Sequence, residues 1–315
     1  MQRMEFDNDG VTISAAVHGS DSDPTVLLLH GFPQTSHCWH HQIDPLVAAG
    51  YHVVTPDLRG FGQSDVPQEV DSYLIGTVVA DVTSVIEGLG LEKAVVVGHD
   101  WGASLAWTTA ALAPDRVRAV AALSVPFTRR PSSPPIERLV EKAGGLFFYM
   151  DYFQTKGPAE AEFEADPRGL LLAMLHTASG AGTPRMPGPR GSTKLSDQQV
   201  LPDALPPWLS EEDLDAYVMA FAKTGWTGAL NWYRAMDPSW RAFPTVGTVP
   251  LPMPSAFLAG EKDLVLAFTP RKHHAELLTD LREELILPGI GHWVAEEAPQ
   301  QTTDFLLRFL SQVAV

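Results

Sequence analysis

The 315-residue chain has a single cysteine, Cys38. No intramolecular disulfide can form, so nothing points to an oxidising compartment, and metal centres built from cysteine clusters are excluded. Cys38 itself reads as a small buried side chain. Positive charge is also scarce. The chain carries 22 Lys and Arg against 38 Asp and Glu, a formal net charge of −16. Such an acidic surface repels phosphate backbones and anionic lipid, which argues against nucleic acid and membrane partners. A small neutral ligand suits it better. No run of about 18 apolar residues occurs, which argues against a helical membrane span. The opening Met1-Gln2-Arg3-Met4-Glu5-Phe6-Asp7 is too polar for the apolar part of a secretory signal. A cytoplasmic chain is therefore expected. Neither a P-loop nor a G-x-G-x-x-G follows a strand, so no nucleotide or flavin cofactor is expected; no metal is expected either. No internal repeat is found.

What is present is an ordinary apolar fraction of 45%, enough for one large core. Short apolar runs at Val26–Leu29, 51–55, Ala94–Val97 and Val117–Leu123 read as strands covered on both faces. Helical spacing lies between them, as from Tyr73 to Leu89 before Gly90. This alternation predicts a parallel sheet with helices on both sides. The pattern stops at residue 128. Residues 128–245 hold only helical stretches, around 136–153, 158–177 and 210–238, and two loop-like segments, 129–135 and 179–192. The alternation returns with a strand at 256–259, a helix near 268–278, a strand at 284–287 and a last helix at about 296–313. One α/β domain made of residues 1–127 and 246–315, interrupted by a helical cap at 128–245, is the economical organisation.

The strand Ala94–Val97 runs into Gly98-His99-Asp100-Trp101-Gly102, and a helix follows from Ala103 to Ala113, before Pro114. Strand, glycine-flanked turn and helix together are the setting of a nucleophile elbow. The turn strains its central residue and holds that side chain out at the C-terminal edge of the sheet. The central residue is an aspartate. A carboxylate attacks saturated carbon and leaves an alkyl ester, whereas a serine would attack a carbonyl. Taken alone, the motif also fits an Asp capping a helix.

Two partners follow in the order this geometry uses. Asp263 lies in Gly260-Glu261-Lys262-Asp263, past a strand, and His292 in Gly289-Ile290-Gly291-His292-Trp293, past the next. Of eleven histidines, only His292 sits on a glycine-flanked loop after a late strand. His37, His40 and His41 fall near a helix start, and His273 and His274 on a helix; these read as surface or packing residues. His30-Gly31-Phe32-Pro33-Gln34 follows the first strand, where the backbone N–H of Phe32 can join that of Trp101 in an oxyanion hole. The glycine-rich loop from Asp57 to Asp65 reads as structural.

With these motifs in place, the sequence resembles the epoxide hydrolases of the α/β-hydrolase superfamily from about residue 5 onward. HGFPQ, RGFGQSD, GHDWG, GEKD and GHW occur in the family's order. The resemblance implies the α/β-hydrolase fold, a mostly parallel central sheet with an inserted helical cap. It also implies two cap tyrosines that hydrogen-bond the epoxide oxygen. In Phe148-Tyr149-Met150-Asp151-Tyr152-Phe153-Gln154 the matching residue is Tyr149, with Tyr152 the other candidate. In Gly228-Ala229-Leu230-Asn231-Trp232-Tyr233-Arg234 it is Tyr233. The expected catalytic set is Asp100, Asp263, His292, Tyr149 and Tyr233. Phe32, Pro33, Trp101 and the two tyrosines would contact an epoxide, and water would complete the reaction.

The core motifs are shared with haloalkane dehalogenases. Those resemble this chain in having a tryptophan after the nucleophile, here Trp101. They also want a second side-chain donor where this chain has Phe32. A fluoroacetate dehalogenase would carry arginines beside the nucleophile, where Trp101 stands. A non-catalytic ligand-binding member would lack a triad residue. The identity of the epoxide, the stereochemistry and the oligomeric state stay open at this level. So does the segment 179–192, which either borders the entrance or forms a surface loop.

Overall fold

The computed structural model describes residues 2–183 and 185–313. Eight strands form one sheet: β1 (Gln2–Asn8), β2 (Val11–His18), β3 (Thr25–Leu29), β4 (His52–Pro56), β5 (Ala94–His99), β6 (Val117–Leu123), β7 (Ser255–Gly260) and β8 (Leu281–Leu287). Their order across the sheet is β1-β2-β4-β3-β5-β6-β7-β8. The pairs β1–β2 and β2–β4 are antiparallel, and from β4 to β8 the sheet is parallel. Burial explains the sequence of each strand. Every residue of β3, β4, β5 and β7 is buried, as unbroken apolar runs require when helices cover both faces. The edge strand β8 alternates instead, and puts Arg282 and Glu284 outside.

The hairpin β1–β2 is the part of the sheet not foreseen. Its signal was the Asp9-Gly10 pair, with φ of 52° and 80°. Such a turn suits the right-handed twist of a two-residue hairpin. Alternation along β1 is masked by polar residues because only Phe6 is buried there.

Around the sheet lie α1 (His40–Ala48), α2 (Ile75–Gly88) and α3 (Trp101–Leu112). Between β6 and β7 no strand occurs among the described residues. That stretch holds α4 (Pro135–Ala143), α5 (Tyr149–Tyr152), α6 (Pro158–Ala165), α7 (Pro167–Ala178), α8 (Glu211–Thr224), α9 (Thr227–Arg234) and α10 (Met236–Ala242). The three expected helical stretches are each broken into shorter helices. Gly144 ends α4 in the left-handed conformation, Asp166 caps α7 by accepting from the Gly169 N–H, and Gly225 at φ 65° ends α8.

After β7 come α11 (Val265–Phe268) and α12 (His274–Leu277), then α13 (Val294–Glu297) and α14 (Pro299–Gln312) follow β8. The single helix expected at 268–278 does not form. Pro270 falls inside it, and proline lacks the N–H and crowds the preceding turn. Among the described residues, no helix is long and apolar enough to cross a membrane.

Candidate active site

The C-terminal ends of four parallel strands of the one sheet bring the candidate residues together. Phe32 follows β3, Asp100 follows β5, Asp263 follows β7 and His292 follows β8. Ligands of open parallel sheets bind along this edge.

Asp100 sits at the junction of β5 and α3 with φ 54° and ψ −115°. A non-glycine residue held there costs on the order of 1–3 kcal/mol, so its surroundings must enforce it. The two flanking glycines show how. A Cβ on Gly98 would strike the Gly102 carbonyl, and one on Gly102 would strike the Leu29 carbonyl. Helix α3 therefore lies directly on β3 and β5, and the chain between them has to turn sharply.

The Phe32 N–H donates to Oδ1 of Asp100 at 2.8 Å. The Trp101 N–H also favours the charged carboxylate. Nδ1 of His292 lies 2.9 Å from Oδ2 of Asp263, and its Nε2 lies 3.5 Å from Oδ2 of Asp100. Asp263 and His292 are 4% and 6% exposed, so water screens these charges little. Burial by itself would raise the Asp100 carboxyl. The hydrogen bond and charge of His292, with the Trp101 N–H, outweigh it and hold the carboxyl below its ordinary value. Burial would likewise pull the His292 imidazole down. The charge of Asp263 and the hydrogen bonds to Asp100 and Asp263 override that and raise it to about 10. The resting arrangement is thus an imidazolium between two carboxylates.

Tyr149 on α5 and Tyr233 on α9 meet edge to face, with ring centroids 5.9 Å apart. Burial, and then the charge of Asp100 and Asp263, push the Tyr149 phenol far above its usual range. Burial, Tyr149 and Asp100 do the same to Tyr233, with the Trp101 indole opposing. Both phenols therefore stay neutral and remain hydrogen-bond donors. Tyr152 points elsewhere and donates to Glu162 Oε2 at 3.1 Å.

Asp100, Tyr149 and Tyr233 stand where two cavities meet. The wider, about 500 Å³, is lined by Trp101, Trp107, Leu139, Met150, Met236 and Phe268 among others. The narrower, about 90 Å³, is lined by Phe32, Pro33, Met174, Leu195, His292 and Trp293 among others. Both are chiefly apolar, as expected of a small-molecule site, and the wider one is also lined by Arg129, Arg138, Lys142 and Lys272. Arg185 and Met186 also line the narrower one, so the segment 179–192 borders the site.

Comparison with known proteins agrees with this geometry. Residues 24–299 match the model of the alpha/beta hydrolase fold family. Epoxide hydrolase A of Mycobacterium tuberculosis is 40% identical over 311 residues, which cover 97% of this chain and 96% of that protein. The crystal structure of epoxide hydrolase A from Mycobacterium thermoresistibile superposes with a TM-score of 0.93 at 40% identity, covering 98% of both chains. An epoxide hydrolase from an endophytic Streptomyces gives 0.93 at 38% identity, covering 98% of this chain and 95% of that one. The chain belongs to the epoxide hydrolase family of α/β-hydrolases.

Several supports of this family's site were not legible beforehand. His99 donates to the His292 carbonyl at 2.8 Å, and the Ser124 hydroxyl donates to the same oxygen at 2.7 Å. Burial, with the charge of His292, brings the His99 imidazole down to about 4, so it serves as a neutral donor. The Glu297 carboxylate accepts from the N–H groups of Gly180, Gly291 and Trp293, which ties the His292 loop to the end of α7. Trp232 donates from its indole to the Arg59 carbonyl at 3.0 Å and fixes α9, hence Tyr233, to the loop after β4. That loop is structural, as its composition suggested. Arg59 holds Asp81 through two nitrogens at 2.8 and 2.6 Å, and the Asp57 carboxylate accepts from Arg3, Ser36 and the Gln63 N–H. Most of these partners, such as His99 and His292 or Trp232 and Arg59, are far apart in sequence, and no local pattern announces them.

Proposed function

We propose that the chain opens epoxides to vicinal diols through an ester on Asp100, which a water activated by His292 and Asp263 then hydrolyses. The observation that carries this reading is that one partly buried carboxylate, Asp100, and two neutral phenols line the same pair of cavities. A substrate with a saturated electrophilic carbon and an oxygen leaving group needs that pairing. A carboxylate displaces at carbon, and an acid meets the charge that develops on oxygen.

The residues act in sequence. Tyr149 and Tyr233 donate hydrogen bonds to the epoxide oxygen. The free oxygen of Asp100 attacks a ring carbon from the opposite side, the C–O bond breaks, and a phenol gives its proton to the alkoxide. Esterification removes the charge of Asp100, one of the groups that had kept His292 protonated. The imidazolium proton then returns to the phenolate, and His292 becomes a neutral base. It takes a proton from water, and the hydroxide adds to the ester carbon. The oxyanion forms on Oδ1, where the Phe32 and Trp101 N–H groups hold it. Losing one such donor costs roughly 3 kcal/mol of transition-state stabilisation. Asp263 orients the imidazole and stabilises its charged form. The intermediate collapses with cleavage of the bond between the acyl carbon and the substrate-bound oxygen, the departing alkoxide takes up the proton of the added hydroxyl by way of His292, and the diol leaves with Asp100 ionised and His292 protonated as at the start.

On the same reading, residues 1–127 and 246–315 form the catalytic core and 128–245 the cap that closes over it and supplies both tyrosines. A single cysteine suits a cytoplasmic enzyme. Halide release is disfavoured because Phe32 offers only its backbone N–H, leaving Trp101 without a second side-chain donor. The deciding experiment exposes the enzyme to styrene oxide, aliphatic epoxides and 1,2-dibromoethane and measures diol and bromide. Diol from epoxides, abolished by Asp100→Ala, is expected. Bromide release without diol formation would overturn the reading.

A further inference from the structure

A second cluster of ligating side chains lies away from Asp100, where α8 meets the sheet layer. His37 belongs to a 3-10 turn at Ser36–Trp39, His40 opens α1, and Asp213 lies in the first turn of α8. Nε2 of His37 is 2.8 Å from Oδ1 of Asp213, and Nε2 of His40 is 3.8 Å from the same oxygen. One ligand atom from each residue lies within 4.8 Å of the others. From the histidine spacing alone, both rings read as surface or packing residues; only the fold brings Asp213 to them.

We propose that His37, His40 and Asp213 bind a divalent transition-metal ion of the zinc type, which ties α8 to the sheet layer. Three observations lead there. First, Nδ1 of His40 lies 2.9 Å from the His37 carbonyl. The carbonyl can only accept, so that nitrogen is the donor, and the ring is held with Nε2 turned toward Asp213. A backbone carbonyl fixing the far nitrogen is also the usual support of a metal-bound histidine. Second, Oδ2 of Asp213 already accepts from the Ser210 N–H at 3.2 Å and the Ser210 hydroxyl at 2.5 Å. Oδ1 is thereby turned to the histidines with a lone pair to spare. Third, the side chains of His37, His40 and Asp213 are 32%, 29% and 14% exposed. They are covered enough to be held and open enough for water as a fourth ligand. Tetrahedral zinc at about 2.1 Å from each donor wants donors roughly 3.4 Å apart. The two separations to Oδ1, 2.8 and 3.8 Å, bracket that value.

The place gives the ion a purpose. Tyr217, one turn further along α8, donates to Glu296 Oε1 at 2.7 Å, and its ring lies 5.7 Å from that of His37. Glu296 is on α13, directly after the His292 loop. The ion would brace the contact between α8 and the elements behind the active site without touching the reacting atoms.

The test uses the full chain stripped with a chelator and titrated with Zn²⁺ by calorimetry, with melting followed in parallel. One Zn²⁺ per chain and a raised melting temperature are expected. His40→Asn and His37→Asn should each weaken binding by at least about tenfold and remove the melting shift, while their zinc-free melting temperature stays near that of the parent. Ser210→Ala, which removes a donor to Asp213 together with the cap of α8, should weaken binding by roughly tenfold. Absence of saturable uptake by the parent chain overturns the proposal and leaves a plain His–Asp ion pair. So does equal affinity in His40→Asn.

Discussion

Nε2 of His292 stands 3.5 Å from Oδ2 of Asp100, while Nδ1 of the same ring is 2.9 Å from Asp263. One imidazole thus bridges the proposed nucleophile and the proposed orienting acid. The base of the second step is held as an acid until the first step removes the charge of Asp100.

Replacing His292 by Gln keeps a polar side chain but no base. Alkylation of Asp100 should continue and hydrolysis should stop, so turnover falls by roughly 10⁴-fold or more. Intact-mass analysis after incubation with an epoxide should show one added substrate mass, located on the peptide that contains Asp100. Steady turnover with no adduct would remove His292 from the base role.

Tyr149→Phe and Tyr233→Phe each delete one donor to the leaving oxygen. Each should slow the single-turnover alkylation step by about 10²-fold, and the double variant by more, within the range of general acid catalysis. Tyr152→Phe removes only the hydrogen bond to Glu162. It should alkylate within about twofold of the parent, since that hydroxyl does not meet the substrate. Equal losses at 149 and 152 would contradict the assignment.

The raised His292 pKa has a consequence for stability. In the folded chain it is raised to about 10 from the ordinary 6.5 of an imidazole. A folded state that holds its proton more tightly than the unfolded one is stabilised fully below the unfolded pKa. That share is lost as pH rises from 6.5 through about 10. Glu296, raised by burial to about 8 from 4.5, adds a decline of the same sign at lower pH, in parent and variant alike. Urea unfolding from pH 6.5 to 10 should therefore show stability falling more steeply in the parent than in His292→Gln. Parallel curves would mean that the imidazolium is not held between the two carboxylates.

Much of the fold was readable because burial on both faces leaves an unmistakable trace. The runs at 26–29, 94–97 and 117–123 could be little else than central strands. The bend at Gly98–Gly102 was readable for a related reason, since a close approach of α3 to β3 and β5 tolerates only glycine there. The strand β1 was missed because it is half exposed and polar, and the helix expected at 268–278 failed on Pro270. Tyr149 and Tyr152 are three residues apart on one short helix, so composition could not separate them. What separates them is that Tyr149 faces Tyr233 while Tyr152 faces Glu162.

The amino-acid order by itself determined which residue types stand at strand ends, and with them that a carboxylate rather than a hydroxyl occupies the sharp turn. Those are local properties, set by burial periodicity and steric room over a few residues. Only the tertiary structure decided which groups meet. Residues 32, 100, 263 and 292 converge because β3, β5, β7 and β8 run parallel in one sheet and end at one edge. His99, Ser124 and Glu297 support the His292 loop because the fold carries distant polar atoms into a buried space, where each must find a partner.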